Sequence, residues 1–144
     1  MRINIINTFV LFIALFVITS CSVSPEAAEQ NAAQFYEKLK ARDYNALKNM
    51  LDEEALQMNT WEEWEQIFVQ KEALGDLISY EKEIGFEAAY FNERSTISLK
   101  YTVKYSTATL YEYIKFIKQG EDYKVITYAY YDSEERRTEM IKKL

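Results

Sequence analysis

Glu112 is the residue whose type and surroundings most invite chemistry. Leu110, Ile114 and Phe116 flank it at every second position of a stretch rich in aromatic and β-branched residues. On a strand these four side chains share a face, and a carboxylate on an apolar face is expensive unless it is paired. Two readings follow. A carboxylate in an apolar cavity can serve as a general base once burial shifts its pKa. Alternatively Glu112 is structural, paired across strands with Lys100, Lys104 or Lys115, or turned to water at an edge. The tyrosines pose the same choice, because ten of the 12 fall from Tyr80 onward. Tyr101, Tyr105, Tyr111, Tyr113 and Tyr128 either line an aromatic pocket for a lipid, sterol or peptidoglycan fragment, or belong to a tyrosine-rich sheet whose hydroxyls reach its rim. The candidate pocket is Trp64, Tyr101, Glu112, Tyr113 and Tyr128. Trp61 and Trp64 also read simply as core.

Composition removes much other chemistry. The chain has no histidine and a single cysteine. His-based triads, Cys–His dyads, His-containing zinc sites and the usual base near neutral pH are therefore excluded, as is an intramolecular disulfide. With only Gly75, Gly85 and Gly120 there is no glycine-rich phosphate loop. No cofactor is expected, and no metal-ligand spacing stands out, although a carboxylate calcium site is left open. Lys and Arg number 17 against 23 Asp and Glu, a net charge of −6. Such a surface has no long-range attraction for nucleic acid or anionic headgroups.

The cysteine closes an apolar N-terminal run. Arg2 supplies a positive start, residues 9–18 are uninterruptedly apolar, and Ile18-Thr19-Ser20-Cys21 follows. The run is short for a spanning helix, which wants about 20 apolar residues. It fits the core of an export signal better, with a retained signal anchor as the other reading. Ile18-Thr19-Ser20-Cys21 resembles the lipobox of bacterial lipoproteins. That resemblance implies a signal peptide at 1–20, cleaved before Cys21, and acylation of the Cys21 thiol. Two or three chains at about 0.8 kcal/mol per buried CH₂ anchor stably. Residues 21–25 would be the lipidated cysteine and a short tether. Ser22 follows the cysteine where no aspartate stands, which implies an outer-membrane location in a Gram-negative envelope. In a Gram-positive cell the protein would sit on the outer face of the cell membrane.

The remaining chain is long enough for one core without staples. Ser24 can cap a helix that Pro25 begins, and over residues 26–42 Ala28, Ala32, Phe35 and Leu39, with Tyr36, form one apolar stripe. Asp43 can cap a second helix with Leu47, Met50 and Leu51 inward and Leu56 extending that face. Thr60-Trp61-Glu62-Glu63 reads as a capping box opening a helix with Trp61, Trp64, Ile67, Phe68 and Leu74 inside, ended by Gly75. Glu62, Glu63 and Glu65 are a solvated face.

Beyond Gly75 the period becomes two. Residues 77–91 read as one long strand with Ile78, Tyr80, Ile84, Phe86 and Tyr90 mostly on one side, and Gly85 as a bulge or bend. Ile97, Leu99, Tyr101, Val103 and Tyr105 alternate with polar residues in a half-buried antiparallel strand. Two more strands span 109–118 and 123–131. The layout is α+β, N-terminal helices packed on a curved antiparallel four-stranded sheet over 26–132. Residues 133–144 form a charged C-terminal tail, frayed helix or disordered.

On Asp43-Tyr44, Trp64, Lys71, Leu74-Gly75, Glu112 and Gly120…Tyr123-Lys124-Val125-Ile126…Tyr128, the chain resembles the nuclear-transport-factor-two-like (cystatin-like) cone fold. It is similar to a family of small exported bacterial proteins of unknown function. Lys71 stands where that family often has arginine, and Tyr123 where it often has tryptophan. The resemblance implies a conical sheet whose concave face makes a pocket with the helices, and fold alone does not give function. The expectation is a non-enzymatic, membrane-anchored envelope lipoprotein that binds an envelope protein or a small apolar ligand. The alternatives are an isomerase- or hydrolase-type pocket enzyme using Glu112, and a homodimeric structural module.

Overall fold

Ser24 and Pro25 start the first helix. In the computed structural model, which describes residues 23–143, the Ser24 hydroxyl accepts a hydrogen bond from the Ala27 N–H and Pro25 takes the first helical position. Cys21 and the apolar run before it lie outside the described residues. Helix α1 (Pro25–Lys40) buries Ala28, Ala32, Phe35, Tyr36 and Leu39, the expected stripe. Asp43 caps α2 (Tyr44–Met50), and Asp52 caps a separate α3 (Glu53–Met58) that carries Leu56. Thr60 and Glu63 complete both halves of the capping box that opens α4 (Trp61–Gln70). One 3₁₀ turn (Lys71–Leu74) follows before Gly75 ends the helical half at φ 84°. Glycine is needed there, because a Cβ would lie 2.8 Å from the Ser106 Cβ.

The sheet has five antiparallel strands: β1 (Leu77–Lys82), β2 (Glu87–Phe91), β3 (Arg94–Tyr105), β4 (Thr109–Gln119) and β5 (Asp122–Tyr131). The order is β1-β3-β4-β5, with β2 also on β3. The single strand expected over 77–91 is therefore two. β1 pairs with the second half of β3 and β2 with the first half, and the chain leaves the ladder between them around Gly85, at φ 93°. The break moves the apolar residues with it. Tyr80 stacks on Tyr36, but Ile78, Ile84, Phe86 and Tyr90 are exposed. Helix α1 packs over β1, β3 and β5 and leaves β2 uncovered.

Helices α1–α4 and the sheet form two layers. Ile97, Leu99, Tyr101, Val103 and Tyr105 from β3 and Leu110, Ile114 and Phe116 from β4 are buried toward α1. A parallel bridge between Leu51 and Val125, with the Asp52 N–H on the Val125 carbonyl at 2.9 Å, ties the helical half to the outer side of β5. The tail is ordered over most of its length. Ser133 caps α5 (Glu134–Ile141), which packs on β4 and β5 from the other face.

Arg137 explains why so polar a helix docks. Its side chain is 2% exposed and grips both Glu83 carboxylate oxygens at 2.7 Å. The guanidinium also lies 5.6 Å from the Tyr111 ring. A bidentate guanidinium–carboxylate pair supplies the fixed geometry that an apolar stripe would otherwise give. No described helix is long and apolar enough to cross a membrane.

Candidate functional site

The β-ladder register aims Glu112 at the helices. Glu112 lies opposite Tyr101 on β3 and Tyr130 on β5, on the face that also carries Leu110 and Ile114. Lys100 and Lys104 of β3 and Lys115 of β4 occupy the alternate positions and so point away. Lys100 pairs with Glu87 at 3.2 Å, and the Lys115 ammonium sits by the Tyr113 ring. None of the three lysines expected to pair with Glu112 does so.

Its partner is Lys71. At the end of α4, Lys71 continues the buried face of Trp64 and Phe68 into the 3₁₀ turn and so points inward. Its Nζ lies 2.5 Å from Glu112 Oε1, with the side chains 2% and 0% exposed. Three tyrosines complete the shell. Tyr36 from α1 donates to Glu112 Oε2 at 3.0 Å, Tyr128 from β5 donates to the same oxygen at 2.6 Å, and Tyr105 donates to Oε1 at 3.4 Å. Lys71 also contacts the Tyr128 hydroxyl. Its ammonium stands 4.6, 5.2 and 5.3 Å from the rings of Tyr128, Tyr130 and Tyr105, within cation–π range.

Burial sets the electrostatics. It pushes the Tyr36 phenol well above its ordinary value, and the Glu112 charge pushes it further. Tyr105 is raised by the same two causes. Burial lowers the Lys71 ammonium, and Glu112 opposes that shift. All four donors converge on one carboxylate, so both oxygens are occupied. A base needs a free lone pair aimed at a substrate proton. Glu112 has none in this arrangement.

A recess opens beside the cluster between Leu39, Arg42, Tyr44, Phe68, Lys71 and Tyr105. Its interior, about 20 Å³, holds roughly one water. Arg42 spans its mouth, 3.6 Å from Glu72 and 3.7 Å from Asp76. Tyr44 donates to Glu72, and burial with that carboxylate raises the Tyr44 phenol to about 12. Among the described residues no group of three or more carboxylates and thiols converges to hold a metal. At Glu112 the Lys71 ammonium occupies the place a cation would take.

The expected pocket residues do not form one pocket. Glu112 and Tyr128 touch. Tyr101 is buried against Tyr36, at 4.9 Å between rings, and burial raises its phenol. Trp64 is core, its Nε1–H donating to the Ala55 carbonyl at 3.1 Å. Tyr113 lies on the opposite face of β4, where its hydroxyl meets that of Ser98 at 2.8 Å. Adjacent residues on a strand face opposite ways, so Glu112 and Tyr113 cannot line the same cavity. The five-residue pocket set leaves out Lys71, Tyr36 and Tyr105, although Tyr105 stands among the candidate pocket tyrosines and Lys71 among the residues that carry the family resemblance. Tyr105 shares its alternation with Tyr101, and Tyr36 sits in the α1 stripe, so both signals were present. Lys71 stands three residues after Phe68 and seven after Trp64, on the same inward stripe, so spacing marked its position although its charge argued against burial. Comparison with known proteins finds no matching family, no matching curated protein and no matching solved structure.

Proposed function

We propose that this chain is an envelope lipoprotein, anchored through acylated Cys21, whose domain works as a non-enzymatic binding module. The observation that carries the non-enzymatic half is the saturation of Glu112 by Lys71, Tyr36, Tyr105 and Tyr128. The adjoining recess has room for about one water and none for a substrate. The anchor half rests on the lipobox-like Ile18-Thr19-Ser20-Cys21. Helices preceding an antiparallel sheet and packing on one face support the cone-fold reading, with the mouth of the cone closed by side chains. Binding then belongs to outer surfaces, and a protein partner in the envelope fits better than a small apolar ligand.

Metabolic labelling with a palmitate analogue tests the anchor in the native host. Label on the parent chain and none on Cys21→Ala supports it, and label retained by Cys21→Ala overturns it. Native mass spectrometry of the gently purified lipidated protein tests the module. A co-purifying polypeptide supports a protein-binding role, whereas a co-purifying small molecule moves the ligand into a reopened pocket. The enzyme reading keeps one favourable observation, since Lys71 and Tyr105 stand at the floor of the recess. It requires turnover that Glu112→Gln abolishes.

A further inference from the structure

Strand β2 has one neighbour, and its other edge carries no described strand. Its five residues run exposed from Glu87 to Tyr90, with Phe91 half-buried. Large apolar side chains flank it, Ile84 fully exposed and Phe86 half exposed, and Tyr90 within it is 76% exposed. An edge strand turns a row of unpaired N–H and C=O groups outward, and proteins usually protect such rows with lysine, proline, a bulge or a covering element. The opposite edge of this sheet is protected: Leu51 bridges Val125, and Lys124 reaches the Asn49 carbonyl. Between Glu87 and Asn92, β2 has only Ala88, Ala89, Tyr90 and Phe91. Among the described residues, no element covers the β2 edge.

We infer that β2 is the contact by which two copies of this chain pair, antiparallel and edge to edge, with Ala89 against Ala89 of the second copy. Self-pairing over the full length of β2 selects this register, and it is the one that uses all five residues while keeping like charges apart. Pairing all five residues puts Ala89 on the two-fold axis, Ala88 opposite Tyr90 and Glu87 opposite Phe91. The two copies of Glu87 then stand at opposite ends, and Lys100 already neutralises each at 3.2 Å. Moving the axis to Tyr90 would set Glu87 against Glu93, and moving it to Glu87 would set that residue against itself, both destabilising. Alanines at the centre let the backbones approach without side-chain conflict. The aromatic Tyr90 and Phe91 cover the flanks.

Two five-residue edges bury less than the roughly 1,200 Å² of an ordinary stable interface. The contact is accordingly weak in dilute solution. It becomes populated where copies are concentrated, as on a membrane; this step rests on the lipid anchor proposed above. Copies anchored in one plane need only a short lateral approach.

Single cysteines at Ala89 and at Ala88 in the full chain, oxidised in the host's own membranes, test the inference. Residues directly opposite in an antiparallel pair have Cα atoms about 4.5–5.5 Å apart, inside disulfide range, while residues offset by two lie beyond it. Ala89→Cys should give a band of twice the chain's mass on a non-reducing gel. Ala88→Cys should give at least fivefold less, and Ala88→Lys added to Ala89→Cys should suppress the band. The parent chain controls for disulfides through an unacylated Cys21, and the palmitate label separately reports whether the anchor has failed. No Ala89 dimer in labelled protein, equal yields at positions 88 and 89, or a cross-link to a chain of different mass would overturn the pairing.

Discussion

Lys71 and Glu112, 41 residues apart in sequence, meet at 2.5 Å with neither side chain more than 2% exposed. Their pairing ties the turn after α4 to the centre of the sheet, and α1 joins through Tyr36. Two charges withdrawn from water repay their desolvation only when geometry and further hydrogen bonds are good. Here three phenols complete the shell.

Removing one partner should cost far more than removing both. Lys71→Met leaves Glu112 buried without its counter-ion, a loss of about 3–5 kcal/mol, whereas replacing a whole buried pair is often near neutral. Lys71→Met combined with Glu112→Gln should recover most of that loss. Urea unfolding of the two single variants and the double variant reads the coupling directly. Additive losses would mean that the pair does not act as a unit.

The tyrosine shell predicts an alkaline signature. Tyr36 and Tyr105 are raised by burial and by Glu112. Above the ordinary phenol value of about 10, the unfolded chain gives up those protons while the folded chain keeps them. Their contribution to stability is therefore complete below pH 10 and declines as pH rises further. Lys71, lowered by burial, contributes with the opposite sign, since the folded state holds its proton less tightly than the unfolded state. Tyrosinate absorbance at about pH 11 should show at least two fewer ionised tyrosines in native than in denatured protein. Glu112→Gln should return part of that deficit while the chain stays folded.

Arg137 gives a prediction on the acid side. Burial raises Glu83, and the Arg137 hydrogen bonds and charge outweigh that and hold it below 4.5. The sign follows: this stabilisation is present above about pH 4.5 and is lost as pH falls through the lower folded-state value. Arg137→Ala should cost roughly 1–3 kcal/mol and detach α5. Hydrogen exchange across Glu134–Ile141 should then rise first, and Glu83→Gln should flatten the acid limb of the stability curve. Unchanged protection of α5 in Arg137→Ala would place its docking elsewhere.

What the sequence made legible was whatever depends on local rules. The Ser24 and Asp43 caps, the Thr60–Glu63 box, the α1 stripe and the β3 alternation each follow from neighbours within four residues. So did the buried face of Glu112. Three features depended on partners distant in the chain. The break in residues 77–91 reflects β3 being 12 residues long, with room for two short strands on one edge. Helix α5 has almost no apolar stripe, and its anchor, Glu83, is 54 residues away. Lys71 falls on the inward stripe of Trp64 and Phe68, but its carboxylate partner is 41 residues away and nothing near it in the chain names Glu112. Alternation also decided against Tyr113, whose neighbour Glu112 had already taken the helix-facing side.

The two turn glycines separate conformational strain from steric conflict. Gly75 and Gly85 both have φ in the left-handed region, 84° and 93°. An added Cβ at Gly85 meets nothing within 4 Å, whereas at Gly75 it falls 2.8 Å from the Ser106 Cβ. Gly85→Ala should therefore cost about 1 kcal/mol of backbone strain alone. Gly75→Ala adds a clash with the β3–β4 turn, where Ser106 and Thr107 bond to Asp76 and Leu74. It should cost at least twice as much, and trimming the obstruction with Ser106→Gly should bring the loss back toward that of Gly85→Ala. Thermal melts of the three variants measure this. Equal losses at the two glycines would mean that the turn gives way at no expense and that φ alone sets the penalty.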